Sequence, residues 1–179
     1  MLSPHFPPDT SAGTHRVRLL APHLPEQGWE PVVVTVDPSG YEWRLDQGLL
    51  SLVPPSLRVI RCPAWSPQWT RRLGIGDLGL RAFTALRRTC AELLERERFD
   101  ALFITIYPTY PALLGPMLKR RFRVPFVLDY QDPWIGAWGE TIKTRRTLTY
   151  DSARASTCPY ARSAGTGARR PFTPTCDAR

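Results

Sequence analysis

Three continuous apolar runs constrain this chain more than anything else in it: PVVVTV at 31–36, DALFITI at 100–106 and PFVLDY at 125–130. The first two read as short strands buried on both faces, and PFVLDY follows as a further strand. A fourth run, LRVIRC at 57–62, follows Pro54-Pro55 and alternates enough to be a strand. Between 78 and 99, LGLRAFTALRRTCAELLERERF sets Leu80, Phe83, Leu86, Cys90, Leu93 and Leu94 at helical spacing, with arginines and glutamates opposite. A shorter helical stretch covers 112–121. Strand, helix, strand, helix, strand predicts a parallel α/β sheet with helices on both faces and right-handed crossovers.

Upstream, THRVRLLAPHLPEQG (14–28) reads as a first helix with Val17, Leu20 and Leu24 on one face, kinked or shortened at Pro22. The segment 63–77, rich in Trp, Pro, Arg and Gly, reads as an irregular loop. After about Gly139 the composition changes. Residues 140–179 hold few large aliphatics and no period of 3.6 or 2, so they are expected to be a disordered, Arg-rich tail. The net charge of +8 is unevenly placed: residues 1–139 carry 16 Lys/Arg against 13 Asp/Glu, and 140–179 carry 8 against 3. The basic excess therefore belongs mainly to the tail.

At 179 residues and 42% hydrophobic content the chain has room for one ordinary domain with a core. Its four cysteines form no CxxC pair, no signal peptide precedes them, and no apolar run approaches the roughly 20 residues of a membrane span. These features predict reduced thiols in a cytoplasmic protein, with any membrane contact peripheral.

Ligands of parallel α/β sheets bind beyond the carboxyl ends of the strands. Three loops fall there: HFPPDTSAGTHR at 5–16, YPTYP at 107–111 and DYQDPW at 129–134. In the first, Gly13 permits close backbone approach, and Thr14, His15 and Arg16 open a helix whose free amides favour a phosphate. A plain helix cap by Thr10, Ser11 or Thr14 is the alternative. His5 is placed at a ligand-facing strand end. In DYQDPW, Asp129 and Asp132 can serve a sugar hydroxyl, a proton transfer or a metal, the last disfavoured because no third carboxylate or His stands nearby, or Asp132 can simply cap the turn begun by Pro133. The three histidines are too irregularly spaced for a metal cluster, so no metal site is expected.

HFPPDTSAGTHRVRLLAPHLPEQGWEPVVVTV, the Tyr41-Glu42 loop and FDALFITIYPTYPALLGPMLKRRFRVPFVLDYQDPWIGAW together resemble the N-terminal half of a family 4 glycosyltransferase of the GT-B fold, over about residues 1–139. The resemblance implies a Rossmann-like acceptor-side domain. In complete enzymes it faces a second domain that binds a nucleotide sugar, a substrate rather than a cofactor. Gly13, Thr14, His5 and Arg16 then correspond to the loop near donor phosphates and acceptor, although Ala12-Gly13 stands where many members have two glycines. Asp129 and Asp132 match the Asp-x-x-Asp-Pro-Trp stretch at a cleft-facing strand end and are the candidate catalytic carboxylates.

Two departures shape the expectation. Relatives place several apolar residues before the Ser-Pro-His-Phe-Pro-Pro segment, where only Met1 and Leu2 stand here, so the first strand is expected to be truncated. No two glutamates show the seven-residue separation of the donor half. The expected product is a fragment, inactive alone, whose tail follows a frame shift in a GC-rich gene. The competing function is a non-catalytic basic module whose Arg-rich tail contacts nucleic acid or anionic membrane through phosphates. No specific nucleic-acid partner is expected, because that tail lacks interleaved aromatics. A dinucleotide-binding dehydrogenase is set aside, since SAGTHRV supplies no GxGxxG turn.

Overall fold

The computed structural model describes residues 1–42 and 44–130; Asp132 and the expected Arg-rich tail at 140–179 lie outside the described residues. Four strands occupy the predicted runs: β1 Val32–Val36, β2 Arg58–Cys62, β3 Leu102–Thr105 and β4 Phe126–Asp129. They form two parallel ladders. β1 pairs with β2 from Val32 opposite Arg58 to Val36 opposite Cys62, and β3 pairs with β4 from Leu102 opposite Phe126 to Thr105 opposite Asp129.

Residues 1–4 join the ladders. Leu2 bridges Val34 on one side and Ile104 on the other, both in parallel. The Leu2 amide donates to Phe103 O (2.7 Å), Thr105 N donates to Leu2 O (3.0 Å), Val34 N donates to Met1 O (2.8 Å) and Ser3 N donates to Val34 O (3.0 Å). The order across the structure is therefore β2, β1, residues 1–4, β3, β4. It is a parallel α/β arrangement consistent with a Rossmann-like half.

Alternation along the strands divides the core in two. Val34, Val36, Leu102 and Ile104 pack on one face with Leu78, Leu86, Cys90, Leu114 and Leu118, whereas Val33 and Phe103 meet Phe6, Val17 and Ala21 on the other. The helices follow that division. α1 (Gly13–Leu20) contributes Val17 to the second face. α2 (Pro67–Thr70) is a single turn. α3 (Leu78–Arg81), α4 (Phe83–Arg96) and α5 (Leu114–Phe122) supply the first.

Three sequence expectations need correction. The 78–99 helix is two helices, because the Arg81 carbonyl accepts from Trp65 N at 3.1 Å and Ala82 turns the chain at φ −98°, ψ −2°. The first helix ends at Leu20 and gives way to 3-10 turns over Ala21–His23 and Pro25–Gln27, with Gly28 closing them at φ 78°. Its inner face is Val17 and Ala21, and Leu20 is exposed. The supposed loop 63–77 contains α2 and a 3-10 turn at Arg71–Leu73.

Leu2 is fully buried and belongs to the larger core cluster. Leu2→Ala should lower unfolding free energy by about 2–5 kcal/mol. Urea titration would measure this, and hydrogen exchange should show the Val34 and Thr105 amides losing protection together.

Candidate functional site

The chain leaves the central position at Pro4 and turns at His5. Pro4 has no N–H to continue the ladder, yet its carbonyl accepts from Val36 N (3.3 Å), from the Thr35 hydroxyl (3.2 Å) and from the Tyr41 hydroxyl (3.1 Å). Tyr41 also lies 2.9 Å from Val36 O, accepts from Phe6 N (3.2 Å), and has its hydroxyl pushed up to about 12 by burial. It remains a neutral hydroxyl at physiological pH. The turn after the central segment is thus tied to the end of β1.

His5 sits almost buried between two aromatic rings. Tyr41 stacks on it at 5.9 Å and 14°, and Tyr107 tilts against it at 5.5 Å and 37°. Its Nδ1 lies 2.5 Å from Oδ2 of the fully buried Asp9. The hydroxyls of Ser11 (2.5 Å) and Thr14 (3.2 Å) donate to the same oxygen. Burial acts to raise the Asp9 carboxyl, but the hydrogen bonds from His5 and Ser11 outweigh it and hold Asp9 below its ordinary value. An ionised carboxylate only accepts, so Nδ1 carries the proton toward Asp9 and Nε2 is the ring nitrogen not engaged by it.

That ring borders a cavity of about 370 Å³ lined by His5, Tyr41, Glu42, Asp77, Arg81 and Tyr107, among others. His5, Tyr41 and Tyr107 follow the central segment, β1 and β3, so the cavity opens at the carboxyl edge of the parallel strands, where such folds bind ligands. Charge in the cavity is shared. The Arg81 side chain is 1% exposed and reaches Glu42 at 3.1 Å, while Arg71 pairs with the same carboxylate from the surface. Arg81 also donates to Trp65 O and Gly40 O, each at 2.8 Å. Burial lowers its pKa and Glu42 opposes that shift; an arginine stays charged throughout. Asp77 is raised by burial, which outweighs the amides of Leu80 and Gly79 that bond to it at the start of α3.

The predicted residues divide between two places. His5 lines the cavity, and Gly13 and Thr14 support it from behind. A Cβ at Gly13 would lie 2.6 Å from Tyr107 Cδ1, so glycine there lets Tyr107 close over His5. Thr14 is buried and holds Asp9. The amides of Thr14 and His15 already donate to Ser11 O (3.1 Å) and Ala12 O (3.3 Å). Arg16 and Asp129 meet elsewhere, as an ion pair at 3.0 Å in a separate groove that shares no lining residue with the cavity.

Sequence reasoning missed Asp9, Asp77, Arg71 and Arg81. Asp9 carried a signal, four residues after His5 in a Pro-rich turn. Arg81 carried none, because it read as one more solvent-facing arginine of an amphipathic helix.

The described residues are thus a Rossmann-like α/β half with a polar cavity at the carboxyl edge of its strands, where folds of this class bind ligands. The family model for the glycosyl transferase 4-like domain matches residues 12–170, and the chain belongs to that family. The match reaches beyond the 1–139 that carry the recognisable motifs. Comparison with curated proteins and with solved structures found no match.

Two consequences can be measured. Asp9 is held below its ordinary value, so its contribution to stability is complete above about pH 3.8 and is lost as pH falls through the lower folded value. The urea midpoint should therefore fall steeply with acid in the wild type and less steeply in Asp9→Asn. Glu42→Gln removes the carboxylate opposite a buried guanidinium and should cost on the order of 3 kcal/mol, read from the same titration at neutral pH.

Proposed function

We propose that the cavity beside His5 receives the acceptor of a sugar transfer from a nucleotide-sugar donor, and that His5 takes the proton of the acceptor hydroxyl. The observation that carries this reading is the His5 ring, held through Nδ1 by Asp9 and lining the cavity. In the reaction, the acceptor oxygen forms a bond to the anomeric carbon and the bond from that carbon to the nucleoside diphosphate breaks. The electron pair leaves with the diphosphate, and the hydroxyl proton passes to Nε2. Asp9 stabilises the resulting imidazolium without being protonated itself. The reaction so written treats the nucleotide sugar as substrate and draws on no separate cofactor.

In this reading Gly13 and Thr14 are positioning residues, acting through Tyr107 and Asp9. Asp129 holds Arg16 on a neighbouring wall and does not act on the reacting hydroxyl. Glu42 and Asp77 offer carboxylate oxygens to the hydroxyls of a polyhydroxylated acceptor, and the buried Arg81 holds Glu42 in place. The described residues form one side of such a site. The 179-residue polypeptide by itself is accordingly expected to bind acceptor without turning over donor.

Proton NMR of the three histidine rings tests this directly, using a panel of simple glycosides and polyols. The His5 resonances should move on titration while those of His15 and His23 stay, and Asp9→Asn should weaken the response. A panel that leaves His5 unmoved removes the acceptor assignment. Sustained release of sugar from a nucleotide sugar by this polypeptide alone would overturn the expectation that it does not turn over.

A further inference from the structure

Two tyrosines line the cavity, and they differ. Tyr41 turns its hydroxyl to the backbone at Pro4 and Val36. Tyr107 borders the same cavity with 40% of its surface open. It is held in place all the same: the ring tilts against His5 at 5.5 Å, and its Cδ1 lies 2.6 Å from where a Cβ at Gly13 would stand. The following residue is seated in the same way, since a Cβ at Gly79 would lie 2.7 Å from Pro108 Cγ. An aromatic ring fixed before its ligand arrives loses little conformational freedom on binding. Its face is electron-rich and attracts the weakly positive C–H bonds on one side of a pyranose ring.

The charges of the lining cancel. Arg71 and Arg81 are its guanidiniums, and both pair with Glu42. The Arg81 side chain is 1% exposed, so its charge faces Glu42 and not a ligand. Asp77, the second carboxylate of the lining, takes the Leu80 amide at 2.8 Å and forms no ion pair among the described residues. Behind His5, Asp9 adds a further negative charge. A phosphorylated ligand would find no unpaired cation here and would meet a carboxylate that repels it.

We propose that the acceptor taken by this cavity is an uncharged pyranoside, its C–H face stacked on Tyr107 and one of its hydroxyls donated to Asp77. This rests on the acceptor assignment above and narrows it to a class of compound. Tyr107 is then a specificity-determining residue. An acyclic polyol can donate hydroxyls to the carboxylates but presents no ring to the aromatic face, and a sugar phosphate presents the ring with the wrong charge.

The test uses the full 179-residue chain and follows the His5 ring resonances, together with saturation transfer from the protein's aromatic protons to the probe. The probes are methyl glucoside, galactoside and mannoside, beside sorbitol and glucose 6-phosphate. The best pyranoside should bind about tenfold more tightly than sorbitol or glucose 6-phosphate, with saturation concentrated on the C–H protons of one ring face. Tyr107→Phe should retain that preference and Tyr107→Leu should lose it, with protection of the Val34 and Thr105 amides unchanged as a check of the fold. Asp77→Asn, which keeps a cap for α3, should narrow the gap between pyranoside and 6-phosphate. Sorbitol or glucose 6-phosphate moving His5 as strongly as the best pyranoside would overturn the proposal and leave the acceptor assignment standing, as would a preference that survives Tyr107→Leu. A His5 that answers no probe removes the acceptor assignment and the proposal with it. The probe series on the wild type decides the matter should Tyr107→Leu fail to fold.

Discussion

The structure depends on the backbone pairing of residues 1–4. A buried peptide group without a partner costs free energy comparable to a lost hydrogen bond. The two ladders, β1 with β2 and β3 with β4, each expose an inner edge that would bear that cost. Met1, Leu2 and Ser3 engage Val34 on one side, and Leu2 engages Phe103 and Thr105 on the other. The fully buried Leu2 side chain then enters the cluster formed by Val34, Ile104, Leu86 and Leu114. Few residues do this work, yet every layer meets at them. They also fix the direction in which His5 leaves the sheet.

The strands were legible because their signal is local. Continuous apolar runs need no partner to be recognised, and β1, β3 and β4 fall within them, while β2 falls within the alternating run 57–62. Helix breaks were less legible, since their causes lie far away in sequence. Ala82 turns where the Arg81 carbonyl accepts from Trp65, a contact that periodicity between 78 and 99 cannot reveal. The misassigned face of α1 has a similar origin. Val17 and Ala21 are chosen by the Phe6 and Val33 they pack against, which leaves Leu20 outside.

The site shows the same division. His5 was readable from its place at a strand end, and Gly13 from its place in the loop. The role of Gly13 was not, because the group that approaches it is Tyr107, a side chain 94 positions away, and not a ligand visible to sequence reasoning. Asp129 was selected at a cleft-facing strand end and Arg16 at the start of the helix after the glycine loop. Their pairing follows from the position of β4 beside β3, which turns two independent candidates into one ion pair.

Arg81 explains why the cavity and the exposed Trp/Arg segment belong together. Burying a guanidinium is costly unless its donors and its charge are both met. Glu42 meets the charge, while Gly40 O and Trp65 O take two of the donors. Those acceptors come from the loop after β1 and from the first residues of the 63–77 segment. The Arg81 carbonyl adds a fourth tie, accepting from the Trp65 amide. One side chain therefore fixes the cavity wall and the root of the segment that carries Trp69 and Leu73. The exposed segment and the cavity carboxylate Glu42 thus meet at one side chain, with bonds of about 3 Å to each.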